Sequence, residues 1–234
     1  SAAGITDGSI ALTGASVNRE AGFSMVTYAG TGSAGTVGHG LGKKPTFWLM
    51  KNTSDTSGWF TYYTFTDGSL DYMYLDTTAA KANSNASVPT TTTVGATSSL
   101  STSGDTWIVY AWTDIPGYSK FGVYTGNGSA NGPFIHLGFR PALFIQKKTS
   151  GTGNWYIFDN KRSGFNVDND MLTPNLTDAE YDGQTYPRLD FVSNGIKWVD
   201  AGSSVHNASG ETYIYMAFAE RPSGTIFGVD ANAR

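Results

Sequence analysis

The sequence predicts an all-β protein, an antiparallel, jelly-roll-like β-sandwich built from two tandem repeats of about 100 residues each. Three observations predict this fold: the chain repeats itself, apolar and polar residues alternate with a period of two, and glycine-rich turns separate short apolar runs. No stretch has a sustained 3.6-residue period with helix caps, so we do not expect α-helices.

The repeat appears as residues that match in order at a constant spacing. Tyr28–Ala34 and Tyr124–Ala130 share a tyrosine and a glycine turn, 96 positions apart. Near the end of each copy, Gly104–Ile108 matches Gly210–Ile214 at a spacing of 106. The change in spacing places about ten additional residues in the second copy, between 165 and 207.

The matches divide the chain into three parts. Residues 1–20 are small and rich in Gly, Ser and Ala, which predicts an extended lead-in from an upstream segment or a strand that pairs with another chain. Residues 21–116 form the first repeat. Residues 117–234 form the second, with the longer central insertion and a closing strand at Phe227–Val229. The link at Asp114–Gly117 is too short for a flexible tether, which favours two closely packed lobes over one interlocked body.

Each repeat is expected to contain about six to eight short strands. The apolar runs Thr46–Lys51 and Ala142–Lys147 each follow a proline, as central strands entered from a rigid turn do. The glycine turns at 30–35 and 126–132 lack the Gly-Lys-Ser/Thr ending of a phosphate-binding loop and precede no helix. They are therefore predicted to be hairpin turns.

Composition excludes several classes of protein. The formal charge is −4, charged residues make up 15% and aromatic residues 14%, the reverse of a disordered chain. An acidic chain lacks the basic surface of a dedicated nucleic-acid binder. There is no cysteine, hence no disulfide or thiol chemistry. The apolar runs are far shorter than the roughly 18 residues of a membrane span, so membrane insertion is not expected.

Several motifs carry a resemblance to a known family. The first copy reads FSMVTYAGTG and then GHGLGKKP, and the second reads YSKFGVYTGNGSANGPFIHLGFRPALFIQKK and ends NASGETYIYMAFAERP. Over residues 20–229 this resembles a duplicated β-sandwich domain of tailed-phage tail-fibre and tail-tip proteins. The resemblance implies a distal virion module that contacts the host surface, often as a trimer. It carries over no catalytic or binding residue.

The sequence does not favour catalysis. It has no G-x-S-x-G elbow, and His39 and His136 both lie just before a Leu-Gly pair, which indicates a structural role. A glycosidase would need two acids across a cleft, and the favoured interpretation of the acidic residues is solvated loops. The candidate acids are Asp67, Asp71, Asp76, Asp168, Asp170, Asp178, Glu180, Asp182 and Asp190.

A ligand site is expected where the two copies differ, because function is usually carried by loops on a rigid scaffold. A glycan would use an exposed aromatic ring with acid, amide and hydroxyl groups at its rim. The candidate residues in the insertion are Tyr181, Asp182, Gln184, Tyr186, Arg188, Trp198 and His206. In the competing interpretation, Tyr186 and Trp198 cap the sandwich or pack against a neighbouring subunit.

One weak metal site is predicted, and no other cofactor. Asp178, Glu180 and Asp182 have the spacing of the start of an EF-hand loop, but its twelfth position would be Leu189 instead of glutamate. Asp168 and Asp170 could still supply oxygen ligands to a looser calcium site.

The leading functional hypothesis is a non-enzymatic host-recognition module at the tip of a virion fibre, acting outside the cell. It would bind a host surface glycan or receptor protein, as a homotrimer assembled with other fibre or baseplate proteins. The alternatives are a purely structural spacer or decoration domain of the virion and a surface-polysaccharide depolymerase. Neither nucleic acid nor membrane is an expected partner.

Overall fold

The structure is a computed structural model that describes residues 4–164, 166–168, 170–182, 188–200 and 205–221. All pairs of neighbouring strands are antiparallel. A 3₁₀ turn at Ser98–Leu100 is the one helical element among these residues. The predicted all-β sandwich is thus confirmed.

The chain forms two compact units. Unit 1 contains the residues up to Leu75 together with Ala82–Asp114. Unit 2 contains Asp76–Lys81 and the residues from Ile115 onward. The short segment Asp76–Lys81 belongs to unit 2 because its backbone bonds there, with the Gly153 N–H donating to the Thr78 carbonyl over 2.9 Å. The predicted first repeat, a contiguous segment over 21–116, includes these six residues, whereas the structure assigns them to unit 2.

Unit 1 pairs a large sheet with a small one. The large sheet has the strand order β1-β2-β9-β4-β5-β6-β7 and the small sheet pairs β3 with β8. The strands are β1 Leu12–Asn18, β2 Phe23–Ala29, β3 Gly35–Gly38, β4 Phe47–Asn52, β5 Phe60–Tyr63, β6 Asp71–Tyr74, β7 Ala82–Asn83, β8 Thr93–Ala96 and β9 Thr106–Trp112. The core lies between the sheets, where Val37 and Val94 of the small sheet pack with Trp48 and Trp107 of the large one.

Unit 2 repeats this plan. Its larger sheet has the order β10-β16-β12-β13 and its smaller sheet the order β11-β15-β14. The strands are β10 Ser119–Thr125, β11 Phe134–His136, β12 Pro141–Lys148, β13 Trp155–Asp159, β14 Leu189–Val192, β15 Gly195–Trp198 and β16 Thr212–Ala219. Phe144, Phe158, Ile196 and Trp198 are buried in its core.

The duplication read from the sequence is visible in the sheet orders. β2-β9-β4-β5 and β10-β16-β12-β13 occupy equivalent places, and β4 and β12 are interior strands as predicted. The insertion in the second copy contributes β14, a third strand for the small sheet of unit 2. The predicted closing strand at 227–229 lies outside the described residues.

The N-terminal segment differs from the expectation. Residues 12–18 form β1 and pair with β2 of the same unit instead of forming a lead-in or waiting for another chain. Leu12, Ala15 and Val17 pack against the core of unit 1. Small residues and a register shift between Leu12 and Gly14 weaken the hydrophobic pattern of this strand in the sequence.

The two glycine turns are not hairpin turns, because each connects a strand of the large sheet to a strand of the small one. At the start of each turn the backbone passes directly against a distant segment. A Cβ atom on Gly30 would lie 1.9 Å from the Thr102 carbonyl oxygen, and one on Gly126 would lie 2.3 Å from that of Ala208. Only glycine permits such an approach, so the turns lock the two sheets together.

In both units, a buried tyrosine fixes the place where the chain passes from the large sheet to the small one. The Tyr28 hydroxyl donates to the Leu100 carbonyl, and the Tyr124 hydroxyl donates to the His206 carbonyl over 2.8 Å. Burial raises the pKa of both hydroxyls well above the usual value for tyrosine, so they stay protonated and able to donate. Each bond joins β2 or β10 to the loop before the last strand of its unit.

A lysine holds the hairpin after the central strand in each unit. The Lys51 ammonium donates to the Ser57 carbonyl over 2.6 Å, and the Lys147 ammonium donates to the Gly153 carbonyl. Lys147 is fully buried and lies 5.9 Å from the centroid of the Trp155 ring. Burial lowers the pKa of Lys147 to about 8, because its charged form loses hydration.

We expect Tyr124→Phe to lower the free energy of unfolding by about 1–2 kcal/mol, because it leaves a buried carbonyl without its donor. Urea denaturation followed by tryptophan fluorescence measures the change. The matched control is Tyr181→Phe, which removes an exposed hydroxyl bond to Asp178 and should cost about 0.5 kcal/mol or less. Equal effects of the two variants would contradict the structural role of Tyr124.

The lysine predicts a pH dependence of stability. Because the pKa of Lys147 is lowered in the folded state, the unfolded state binds more protons from about pH 8 upward. The free energy of unfolding of the wild type, relative to Lys147→Met, should therefore rise by about 2 kcal/mol as the pH increases from 8 to about 10. Parallel stability curves for the two proteins would show that the buried ammonium carries no such penalty.

Candidate functional site

The structure places two of the candidate ligand residues inside the protein. Trp198 and His206 are both fully buried. Trp198 contacts Phe158 edge-on in the core, with the ring centroids 5.6 Å apart, and stacks on His206 at 4.4 Å. The expectation that Trp198 and His206 contact a ligand is corrected. The Trp198 side chain on β15 is buried in the core of unit 2, and His206 stacks on it.

His206 forms part of a buried polar link. Its Nε2 lies 2.5 Å from Asp200 Oδ2, which also accepts a bond of 2.8 Å from the Arg188 backbone N–H. Both side chains are fully buried, so the pair fastens the end of β15 to the loop before β16 and is closed to a substrate. Its role is structural.

Three further candidates of the insertion are described, and Tyr181 packs against the edge of the core of unit 2. Tyr181 is half-buried and its hydroxyl donates to Asp178 over 2.8 Å. Asp182 and Arg188 are exposed. Gln184 and Tyr186 lie outside the described residues. Of the five candidates that the structure describes, two are sealed in the core, so these five do not form one accessible site.

An open groove in unit 1 is a better candidate. Its floor is aromatic, made by Phe60 and Tyr62 of β5 and Tyr72 of β6. Tyr62 and Tyr72 are directly paired across the two strands, with ring centroids 5.7 Å apart, and Phe60 lies 6.2 Å from Tyr72. Phe60 and Tyr72 are half-buried, while Tyr62 is buried beneath them against Trp48. The groove has a volume of about 470 Å³.

The groove exists because the small sheet of unit 1 is narrow. β3 and β8 cover only part of the inner face of the seven-stranded sheet, and the rings on β5 and β6 extend past them. In unit 2 the counterparts of Phe60 and Tyr62 are Tyr156 and Phe158, which are buried. There the additional strand β14 contributes Leu189 and Phe191 to the core.

The rim of the groove is polar and uncharged. Its side chains are hydroxyls and amides, with no acidic or basic residue among those that line it: Asn83, Ser84, Asn85, Thr97, Ser98 and Ser99. The Tyr62 hydroxyl hydrogen-bonds with Ser84, and burial raises its pKa, so it stays neutral. The rim at Ser98–Leu100 is the 3₁₀ turn that the Tyr28 hydroxyl holds in place.

Sequence reasoning missed this groove, although one signal was present. Tyr72 has no aromatic counterpart 96 positions later, where the second copy has Asp168. The surface is open in the shorter copy, whose small sheet has two strands instead of three.

The possible catalytic and metal residues are distributed elsewhere. His39 is buried, its Nδ1 accepts from the Leu41 N–H over 3.2 Å, and burial lowers its pKa, so it is a neutral structural residue. The predicted calcium residues Asp168 and Asp170 do approach each other in unit 2, on either side of Ser163. Within the described ranges, no three His, Asp or Glu side chains converge on one metal position.

The fold is a duplicated β-sandwich with an open groove on the surface of unit 1. Residues 1–222 match the model of a domain of unknown function, DUF7483, and the chain belongs to this family. No curated protein and no solved structure matches the chain. Among the described residues, no helix has the length and apolar character needed to cross a membrane.

The burial of Trp198 leads to a prediction about stability. Trp198→Ala should destabilise unit 2 by about 3–5 kcal/mol, because it leaves a large cavity beside Phe158 and His206. Thermal or urea unfolding measures the effect. A variant as stable as the wild type would show that the ring is outside the core.

Proposed function

We propose that the chain is a carbohydrate-binding module and that the groove over Phe60, Tyr62 and Tyr72 holds a neutral oligosaccharide. The observation that carries the proposal is a partly exposed aromatic floor with a rim of hydroxyl and amide groups and no charge. A pyranose ring has an apolar C–H face and a hydroxyl edge, and this groove offers a complementary surface for each.

The chemistry of the groove favours binding over cleavage. Ligand clefts combine apolar and aromatic walls with a few polar groups that fix orientation. Hydrolysis of a glycosidic bond needs a pair of carboxyl groups, and the residues that line the groove include none. The depolymerase hypothesis is therefore not favoured at this surface.

The resemblance to tail-fibre and tail-tip proteins supports a place for this binding at a host surface, outside the cell. A single shallow groove gives modest affinity. Several copies carried on one particle would raise the effective affinity by multivalency. This supports host recognition as the role of the module.

Binding to a panel of neutral bacterial surface oligosaccharides, followed by calorimetry on the best ligand, tests the proposal. We expect Tyr72→Ala to weaken binding at least about tenfold, equivalent to about 1.4 kcal/mol, because it removes half of the exposed floor. The matched control is Val88→Ala, which shortens an exposed apolar side chain of the same unit outside the groove. Because the rim is uncharged, the affinity should also be nearly independent of salt.

Tyr181→Ala separates this site from the surface predicted in the insertion. Loss of binding in Tyr181→Ala but not in Tyr72→Ala would move the site to unit 2. The absence of any glycan ligand for the folded wild type would reject the proposal and favour a structural spacer.

A further inference from the structure

We propose that unit 2 binds one Ca²⁺ ion in a small cavity at the end of β13, with Asp168 and Asn160 as its central ligands. The inference is independent of the groove, which lies in unit 1. It rests on two buried oxygen atoms without a hydrogen-bond donor, on the cavity that they share and on the local charges.

Two acceptor oxygens in this region have no donor. Asp168 is 1% exposed, and its Oδ2 atom accepts no hydrogen bond. The Oδ1 atom of Asn160 is likewise buried and without a partner. Both residues line the same cavity, which is about the size of one water molecule or one bare cation. Buried oxygens without a partner are costly, so a guest that attracts both is strongly favoured.

The Ser163 hydroxyl bridges the two neighbouring carboxylates. The Ser163 hydroxyl lies 3.0 Å from Asp168 Oδ1 and 2.9 Å from Asp170 Oδ2. A hydroxyl has only one proton and can donate to only one of these carboxylates at a time. While it donates to either carboxylate, the Ser163 oxygen keeps lone pairs that a cation beside Asp168 can share.

The nearest arginines compensate the charge of Asp168 only in part. Arg162 lowers the pKa of Asp168 and Arg140 lines the cavity, but each is also paired with another acid. Arg140 lies 3.0 Å from Glu220, and its guanidinium also donates to the Phe191 carbonyl. Arg162 lies 2.6 Å from Asp159 and 3.1 Å from Glu180.

The burial of Asp168 also disfavours its negative charge. Burial raises the pKa of Asp168 to about 6, even though the Asp170 N–H and Ser163 donate to it.

The donor set selects the kind of cation. Carboxylate, amide and hydroxyl oxygens are the ligands of hard ions, and no nitrogen or sulfur ligand is required here. Calcium accepts such mixed and irregular sets of oxygens, while magnesium demands near-octahedral geometry and keeps most of its water.

The test is calorimetric titration of the chelator-treated full chain with CaCl₂, and separately with MgCl₂, at pH 7.5. We expect one calcium per chain and weaker binding of magnesium. Calcium at a hundred times its Kd should raise the Tm by about 5–10 °C. A wild type that takes up no calcium and shows no shift in Tm would overturn the proposal without reference to any variant.

Three variants locate the site. Asp168→Asn is isosteric, should remain folded, and should abolish calcium binding. Asn160→Asp adds a charged ligand and should raise the affinity several-fold. The control Asp182→Asn removes an exposed acid of the same unit and should bind like the wild type. Unchanged binding in Asp168→Asn would also overturn the proposal. All three positions lie in unit 2, so glycan binding by the groove is measured separately and either proposal can fail alone.

Discussion

A hydrogen bond from a buried tyrosine to a backbone carbonyl closes each unit of this protein. Tyr28 reaches Leu100 and Tyr124 reaches His206, across the gap between the two sheets. The bond is possible only because Gly30 and Gly126 let the following turn pass directly against the distant segment. Burial keeps water away from the hydroxyl and the carbonyl, which strengthens the bond. The tyrosine bond and the glycine turn therefore together fix how the small sheet lies on the large one.

The same bond positions the region where the two units differ. In unit 1 it anchors the 3₁₀ turn Ser98–Leu100, which forms one rim of the aromatic groove. In unit 2 it anchors the loop that contains His206, and the buried pair of His206 and Asp200 continues the link to β15. The same tyrosine bond thus supports an open groove in unit 1 and a closed core in unit 2.

The width of the small sheet decides which outcome occurs. With two strands, the small sheet of unit 1 leaves Phe60 and Tyr72 partly uncovered. With a third strand, that of unit 2 adds Leu189 and Phe191 to the core, and its polar loops enclose the oxygen cluster around Asp168. Duplication followed by a change of about ten residues therefore accounts for two different chemical environments on one scaffold.

The sequence by itself determined the fold class, the duplication, the turn positions and the interior strands that follow Pro45 and Pro141. These features depend on local periodicity and on residues with restricted backbone choices, which a sequence displays directly. It also indicated that Asp168 and Asp170 belong together, because they are close in the chain. It did not reveal that β1 would pair within unit 1, since small residues give a weak pattern.

Only the tertiary structure decided which aromatic rings are exposed. Trp198 was a candidate for ligand contact and is buried, while Phe60 and Tyr72 lie at the surface. The exposure of a ring depends on whether a second sheet covers it, and that coverage is set by strands far away in the chain. Alternation along a strand shows which side chains share a face, but it does not show where the opposite sheet ends.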